Sequence, residues 1–195
     1  MVAAQHEPGS KERILGAARD LFNLHGFHQS SMAELASSAQ VSVGQIYRLF
    51  KSKEDIISAI VEVDSTERRN EIVALQNSLH NGEIDIEDAF EQLFLTALSD
   101  HEEALSFDIL AEAFRNGRVG ETIAMLCGDL RQCLHDFACA ANPDLDEASL
   151  LQAKEMIMAC MFGFGHRSLS RPELSAATTA RGAARMIIAA LRGIG

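Results

Sequence analysis

The chain has no tryptophan, one tyrosine and only three prolines among its 195 residues. So few prolines leave long stretches free to be helical, because proline removes a backbone donor and clashes inside a helix. Strict apolar–polar alternation is absent, which argues against strands; apolar residues recur instead at spacings of three and four. No stretch approaches the ~20 consecutive apolar residues of a membrane span. The opening residues, MVAAQHEPGSKER, lack the apolar core of a secretion signal, and the expected location is the cytoplasm. Cys127, Cys133, Cys139 and Cys160 show no C-x-x-C spacing and sit in apolar helical patterns, as free buried thiols of a reducing compartment do. His135 and Cys139 share a helix face, but two ligands do not complete a four-coordinate zinc site. Also absent are G-x-S-x-G, a phosphate-binding glycine loop and H-E-x-x-H. No catalytic residue, metal or cofactor is therefore expected, and the chain does not read as an enzyme.

Positive charge is scarce overall, with a formal net charge of −11, yet it is unevenly placed. Residues 1–53 hold six Lys/Arg against four Asp/Glu, whereas the remainder holds eleven against twenty-four. An acidic body limits nonspecific adhesion to polyanions while a basic tip still docks, because phosphate contacts are short-ranged in salt.

What the chain does contain is an all-α pattern of nine helices. Ile14, Leu15, Ala18, Leu21 and Phe22 mark a first helix from about Ser10 that stops at Gly26, a residue suited to a left-handed terminal position. Residues 1–9 read as a disordered arm. Short helices follow at 31–39 and 42–50, then a long one from Lys53 to about His80, ended by Asn81-Gly82. Further helices are expected near 86–98, 103–115 and 119–140, the last broken by Asn142-Pro143. Asp146 with Ser149 starts the next, and the final helix is expected to open near Pro172.

The densest signal lies between Gly26 and Lys53. Ser31 with Glu34, and Ser42 with Gln45, both have capping-box spacing, and Val41 with Ile46 stands where a hydrophobic staple would close. A third start at Ser52 has Asp55 three residues on, where the helix dipole favours an acid. Lys53 stands where that dipole disfavours a cation. Two capped helices a turn apart, the second ending in an aromatic and basic cluster, outline a helix-turn-helix, and DNA is the first partner to consider.

With this order of helices, the chain resembles the TetR family of bacterial transcriptional regulators. The resemblance rests on Gly26-Phe27, Ser31-Met32-Ala33-Glu34-Leu35-Ala36, Val41-Ser42-Val43-Gly44, Ile46-Tyr47-Arg48-Leu49-Phe50 and Ser52-Lys53-Glu54. Tyr47, Phe50 and Lys53, each three apart, are its most characteristic element. Gln40 departs from it, standing where the family usually has glycine, and implies modest strain or a different turn. Leu49 departs too, where the family often has an aromatic or histidine.

The motif assigns roles residue by residue. The second helix of a helix-turn-helix enters the major groove, so Ser42, Val43, Gly44 and Gln45 would meet base edges. Val43 would touch a thymine methyl; the Gln45 amide serves either the cap or an adenine, and both uses stay open. Gly44 costs about 1 kcal/mol relative to alanine in a helix, which close approach to DNA or to the preceding helix would offset. The resemblance implies a phosphate bond from the Tyr47 hydroxyl. Arg48 reads guanine or holds phosphate, Phe50 belongs to the core, and phosphate at Lys53 would reverse its unfavourable dipole term. Ser31 can offer its hydroxyl and helix N-terminus to phosphate.

Residues 1–52 are thus expected to form a three-helix DNA-binding domain. Residues 53–195 would form an effector-binding and dimerisation domain, joined to it by helix 53–80. The last two helices are apolar on more than one face, which calls for a partner subunit. The resemblance implies a two-fold homodimer closed by a four-helix bundle, with Ile157, Met161, Phe164, Ala180, Ala184, Ile187, Ile188 and Leu191 at the interface. Gly163 and Gly165 would let the helices approach closely. It also implies a ligand pocket, for which the middle helices supply Phe90, Phe94, Phe107, Phe114, Met125, His135 and Phe137. Asp108, Glu112 and Arg115 read as a solvated ion-pair face in preference to a polar ligand end. The function so implied is repression at a palindromic operator, released by a small, mostly hydrophobic effector. The rival expectation is a DNA-binding protein controlled by a protein partner.

Overall fold

The structure is a computed structural model, and it describes residues 9–98 and 103–194. Its helices are α1 (Ser10–His25), α2 (Met32–Ser38), α3 (Val43–Leu49), α4 (Lys53–His80), α5 (Ile86–Leu98), α6 (Glu103–Ala113), α7 (Gly117–Ala141), α8 (Glu147–Gly165) and α9 (Ala176–Gly193). One 3-10 turn, Arg167–Ser170, lies between α8 and α9, and there is no strand among the described residues. Of the arm expected at residues 1–9, only Gly9 lies within the described residues. It is the N-cap of α1, its N–H donating to Glu12 Oε2 at 2.8 Å.

Contacts group the chain into two compact units, Met1–Ser65 with Glu102–Ile123, and Thr66–His101 with Ala124–Gly195. In the first, Ile14, Ala18 and Phe22 recur at four-residue spacing and give α1 a single fully buried face. Leu35 of α2, Ile46 of α3 and Ile56, Ile57 and Ile60 of α4 pack into the same core, and Leu105 of α6 and Val119 of α7 complete it. Three short helices cannot bury that much apolar surface among themselves, so the compact unit runs past residue 52. Gly26 ends α1 at φ 82° and ψ 153°, a region open essentially to glycine alone. Its N–H donates to the Phe22 carbonyl at 2.8 Å, and Phe27 then turns its ring edge-on to Phe22.

The second unit is built around Phe90, Phe94 and Phe137, each fully buried. Phe90 stacks on Phe94 and meets Phe137 edge-on, with centroids 5.6 and 5.3 Å apart. Helix α5 lies along α9, where Ala180 and Ala184 are small enough to admit it. Arg181 with Glu91 and Arg185 with Glu87 form ion pairs along the same seam, the arginines exposed and the glutamates half-buried, of modest energetic weight where water screens them. Helix α7 ends at Ala141 as expected, and Asn142 Nδ2 donates to the Leu191 and Ile194 carbonyls, tying down the end of α9.

The start of α9 differs from the expected opening near Pro172. Arg171 adopts a left-handed φ of 53°, and α9 begins at Ala176 with the Ser175 hydroxyl accepting the Thr178 N–H at 3.1 Å. A hydroxyl cap satisfies an orphan donor, which proline in the first turn cannot do. Arg167 holds the intervening segment, donating to the Leu174 carbonyl and to Thr179 Oγ1. No helix is long and apolar enough to cross a membrane among the described residues.

Candidate nucleic-acid interface

All three expected caps form, but not in the same way. At α2 the box is closed on both sides: Ser31 Oγ accepts the Glu34 N–H at 3.2 Å, and Glu34 Oε2 accepts the Ser31 N–H at 2.8 Å. The bond with the Ser31 side chain, and then that with its backbone, hold the Glu34 carboxyl below the usual glutamate range. An acid of the chain itself thus occupies the anion site at this N-terminus, so a phosphate would reach the Ser31 hydroxyl only by sharing or displacing that carboxylate. At α4, Ser52 Oγ accepts the Asp55 N–H at 3.3 Å, while Asp55 Oδ2 reaches back to the Lys51 N–H at 2.9 Å.

At α3 only half of the box closes. Ser42 Oγ accepts the Gln45 backbone N–H at 3.1 Å, but the Gln45 side chain turns away and donates from Nε2 to Ser10 Oγ at 2.6 Å. The reciprocal cap does not hold the Gln45 amide; α1 does. Ser10 carries no signal in the sequence, since a hydroxyl 35 positions away forms no local pattern with Gln45.

The rest of α3 is arranged as a reader with its back anchored. Ile46 is fully buried, Val41 packs against the same core, and Phe50 closes the far end of the helix at 5% exposure. Val43 and Tyr47 are 49% and 52% exposed, and Ser42, Gly44 and Arg48 are also exposed. Positions 43, 44, 47 and 48 share one side of a helix, so a single outward face carries an apolar tip, a bare backbone, a phenol and a guanidinium. A Cβ on Gly44 would meet nothing within 4 Å, which removes the preceding helix as the reason for glycine there. Gln40 adopts φ 54°, the left-handed conformation its place in the turn implied, with the strain of a residue that carries a Cβ.

Lys53 is more constrained than its place in the motif implies. Its ammonium donates to the Phe27 carbonyl at 2.6 Å and the His28 carbonyl at 3.1 Å, and lies 4.8 Å from the Phe27 ring centroid. It clasps the loop between α1 and α2, and two of its three protons are already used. Asp108 of α6 holds the same loop, Oδ2 accepting the Phe27 N–H at 2.8 Å. Asn23 Oδ1 likewise accepts the Leu105 N–H at 3.3 Å. Glu112 is buried, and no ion pair with Arg115 forms the expected face.

The residues expected to line a ligand pocket are dispersed. Phe90, Phe94 and Phe137 are spent on the core of the second unit, and Met125 in the same unit is exposed. Phe107 and Phe114 belong to the first unit, and Phe114 is 94% exposed. His135 Nδ1 lies 3.8 Å from Cys139 Sγ, an intrahelical contact, and no group of three metal-ligating side chains occurs among the described residues. The second unit does hold a groove of about 350 Å³ between α4 and α5, floored by Ile72, Leu75 and Leu93 and edged by Arg68, Glu71, Ser78, Gln92 and Thr96. The sequence marks none of these as pocket lining, because mixed polarity along a helix looks like a solvated face.

The expected interface residues also resolve differently. Ile157, Ala180, Ala184, Ile188 and Leu191 are buried in their own unit, and Met161, Phe164 and Ile187 pack at its margin. The outward side of α8 carries Met156, Ala159, Cys160 and Phe162, and that of α9 carries Gly182, Met186 and Ala189. Both helices carry apolar residues on two sides, and the side expected at the interface is the one buried within the unit. A Cβ on Gly163 would meet nothing within 4 Å and one on Gly165 only the Ala97 carbonyl at 3.9 Å, so neither glycine is demanded by packing within the chain.

Residues 14–60 match the family model of the bacterial regulatory proteins, tetR family. The HTH-type transcriptional regulator UidR of Escherichia coli (strain K12) is 33% identical over 110 residues, 56% of this chain and 55% of that protein. The chain therefore spans about half the length of the curated relatives it matches. Among solved structures, Salmonella enterica GusR superposes with a TM-score of 0.65 at 24% identity, covering 94% of this chain and 98% of that one. The transcriptional regulator FadR from Bacillus subtilis, in complex with stearoyl-CoA, superposes with a TM-score of 0.70 at 15% identity, covering 90% and 96%. Likeness at these identities speaks for the fold, while the motif ties residues 14–60 of this chain to the bacterial regulatory proteins of the tetR family.

Proposed function

We propose that the chain is a DNA-binding transcriptional regulator that acts as a homodimer, represses from a palindromic operator and leaves it when a small effector binds. The observation that carries this reading is the outward face of α3, where Val43, Gly44, Tyr47 and Arg48 stand exposed on a helix locked from behind by Ile46. Residues 1–52 are the DNA-binding part and residues 53–195 the effector-binding and dimerising part. Ser31, Tyr47 and Lys53 hold phosphate, while Ser42, Val43, Gly44, Gln45 and Arg48 approach base edges. One seven-residue helix contacts too few bases for a selective site, which favours two heads reading a repeated half-site.

For the effector, the groove between α4 and α5 supports a molecule with an apolar body and a hydrogen-bonding end. A relative crystallised with stearoyl-CoA makes long acyl thioesters one probe to try. Release requires that the effector bind the DNA-incompetent state better than the competent one. A second reading, control by a protein partner, draws on the exposure of Phe114 on the surface of the first unit. The test is selection of a random-core duplex library on the full chain, followed by titration of the recovered duplex. Recovery of an inverted repeat bound by two chains is the expected result; failure to enrich any duplex overturns the reading. Loss of the complex on adding stearoyl-CoA, and not on adding an extract protein fraction, favours the effector over the partner.

A further inference from the structure

We propose that Ser10 is a positioning residue for base recognition: it orients the Gln45 amide so that Gln45 presents the donor and acceptor pair that adenine requires. This rests on the reading of α3 as the recognition helix. Gln45 Nε2 donates to Ser10 Oγ at 2.6 Å, a bond that joins the first residue of α1 to the first turn of α3, and both residues are half-buried. A carboxamide has two N–H protons and one oxygen. With one proton on Ser10, the other proton and Oε1 remain. Oε1 can accept from adenine N6 and the remaining proton can donate to adenine N7, which is the two-bond pairing of glutamine with adenine.

Neither partner is needed elsewhere. The N-terminus of α3 is capped by the Ser42 hydroxyl, which takes the Gln45 backbone N–H and leaves its side chain out of the cap. The N-terminus of α1 is closed by Gly9 and Glu12, so the Ser10 hydroxyl caps nothing there. A glutamine on an exposed helix rotates about three side-chain bonds and can turn its amide over, exchanging donor for acceptor. Anchoring Nε2 removes that exchange before DNA arrives and reduces the ordering lost on binding. The inward side of Gln45 is thereby held by protein and its outward side is left to the groove.

The experiment uses the full chain and a duplex enriched from a random-core library. Gln45→Ala first locates the base pair at which preference relaxes. Ser10→Ala is then expected to lower affinity for adenine at that pair by about three- to tenfold, to narrow the preference for adenine over guanine, and to leave the salt dependence unchanged. Ser10→Thr, which keeps the hydroxyl, is expected to restore the preference. Replacing that adenine by 7-deazaadenine, which lacks the N7 acceptor, should weaken binding of the wild-type chain and not of Gln45→Ala. Equal loss for every base after Ser10→Ala would make the contact merely structural and overturn the proposal. So would an unchanged preference, or a Gln45→Ala variant that relaxes no position. If the library enriches no duplex at all, the DNA reading fails with it, an outcome distinct from binding that is indifferent to Ser10.

Discussion

The two compact units use their apolar residues in opposite ways. In the first, one core serves as the back of a display: Ile14, Phe22, Leu35, Ile46 and Ile60 are buried so that Val43, Tyr47 and Arg48 can be exposed on a fixed scaffold. In the second, the core absorbs what was expected to do the work, taking Phe90, Phe94 and Phe137 from the pocket and Ile157, Ala180, Ala184, Ile188 and Leu191 from the interface. The contrast follows from element length. A seven-residue helix has one turn to bury and one to show, whereas helices of 13 to 25 residues can be apolar on two sides and leave the choice of side to their neighbours.

The most severe way to test this contrast is to place a charge on each side of α9. Ala184→Glu buries an unpaired carboxylate among α5 side chains and is expected to unfold the second unit, with loss of helical circular dichroism. Met186→Glu, at a site 75% exposed, is expected to keep the helix content and to dissociate the proposed homodimer in sedimentation. Equal damage from both would mean that the outward face is part of the core after all. Next in size, Phe22→Ala and Phe137→Ala should each lower stability in urea by about 3–5 kcal/mol, one in each unit. Phe114→Ala should change it by less than about 0.5 kcal/mol.

Lys53→Ala probes the display itself. It should weaken binding at all sequences and lower the salt slope by about one. Because the Phe27 and His28 carbonyls lose their donor, it should also lower the thermal midpoint, which Lys51→Ala, at an exposed site, should not. A change in salt slope with an unchanged midpoint would show that the clasp on the loop is dispensable. Smaller again is Gln40→Gly, which relieves a left-handed backbone and should raise stability by up to about 1 kcal/mol, read from the urea midpoint.

The smallest expected effect is in the pH dependence of the α2 cap. Glu34 titrates below the usual glutamate range in the folded chain, so its contribution is complete above that range and is lost as the pH falls through the depressed value. Glu34→Gln should flatten that part of the acid limb and lower stability at neutral pH, where the ionised carboxylate contributes in full. In the second unit, burial, reinforced by Asp136, pushes the Cys133 thiol up to about 12. That thiol should stay unalkylated under conditions that label the exposed Cys160 of the monomer.

Most of the helix-turn-helix was legible because its signals are local. Ser31 with Glu34 and Ser42 ahead of Gln45 sit within one turn of the groups they satisfy, and their hydrogen bonds form in place. Gly26 and Gln40 could be marked from backbone requirements alone, and both have positive φ. What was not legible joins distant segments: Ser10 with Gln45, Lys53 with Phe27 and Asp108 with Phe27 span 35, 26 and 81 residues. The opening of α9 was misplaced for a related reason, since Pro172 was permissible but Ser175 made the better cap, and Arg171 had already turned the chain.

The sequence by itself determined where most helices begin and end, that a helix-turn-helix lies at residues 26–53, and that the last helices carry apolar residues on more than one face. Caps, turn residues and periodicity act within a few positions of themselves, so they survive being read one-dimensionally. Tertiary structure alone decided which apolar face points inward, which aromatic residues are core and which side chain takes the amide of Gln45. Those outcomes depend on which surfaces meet when distant segments pack, and hydrophobic burial has no direction until a neighbour supplies one.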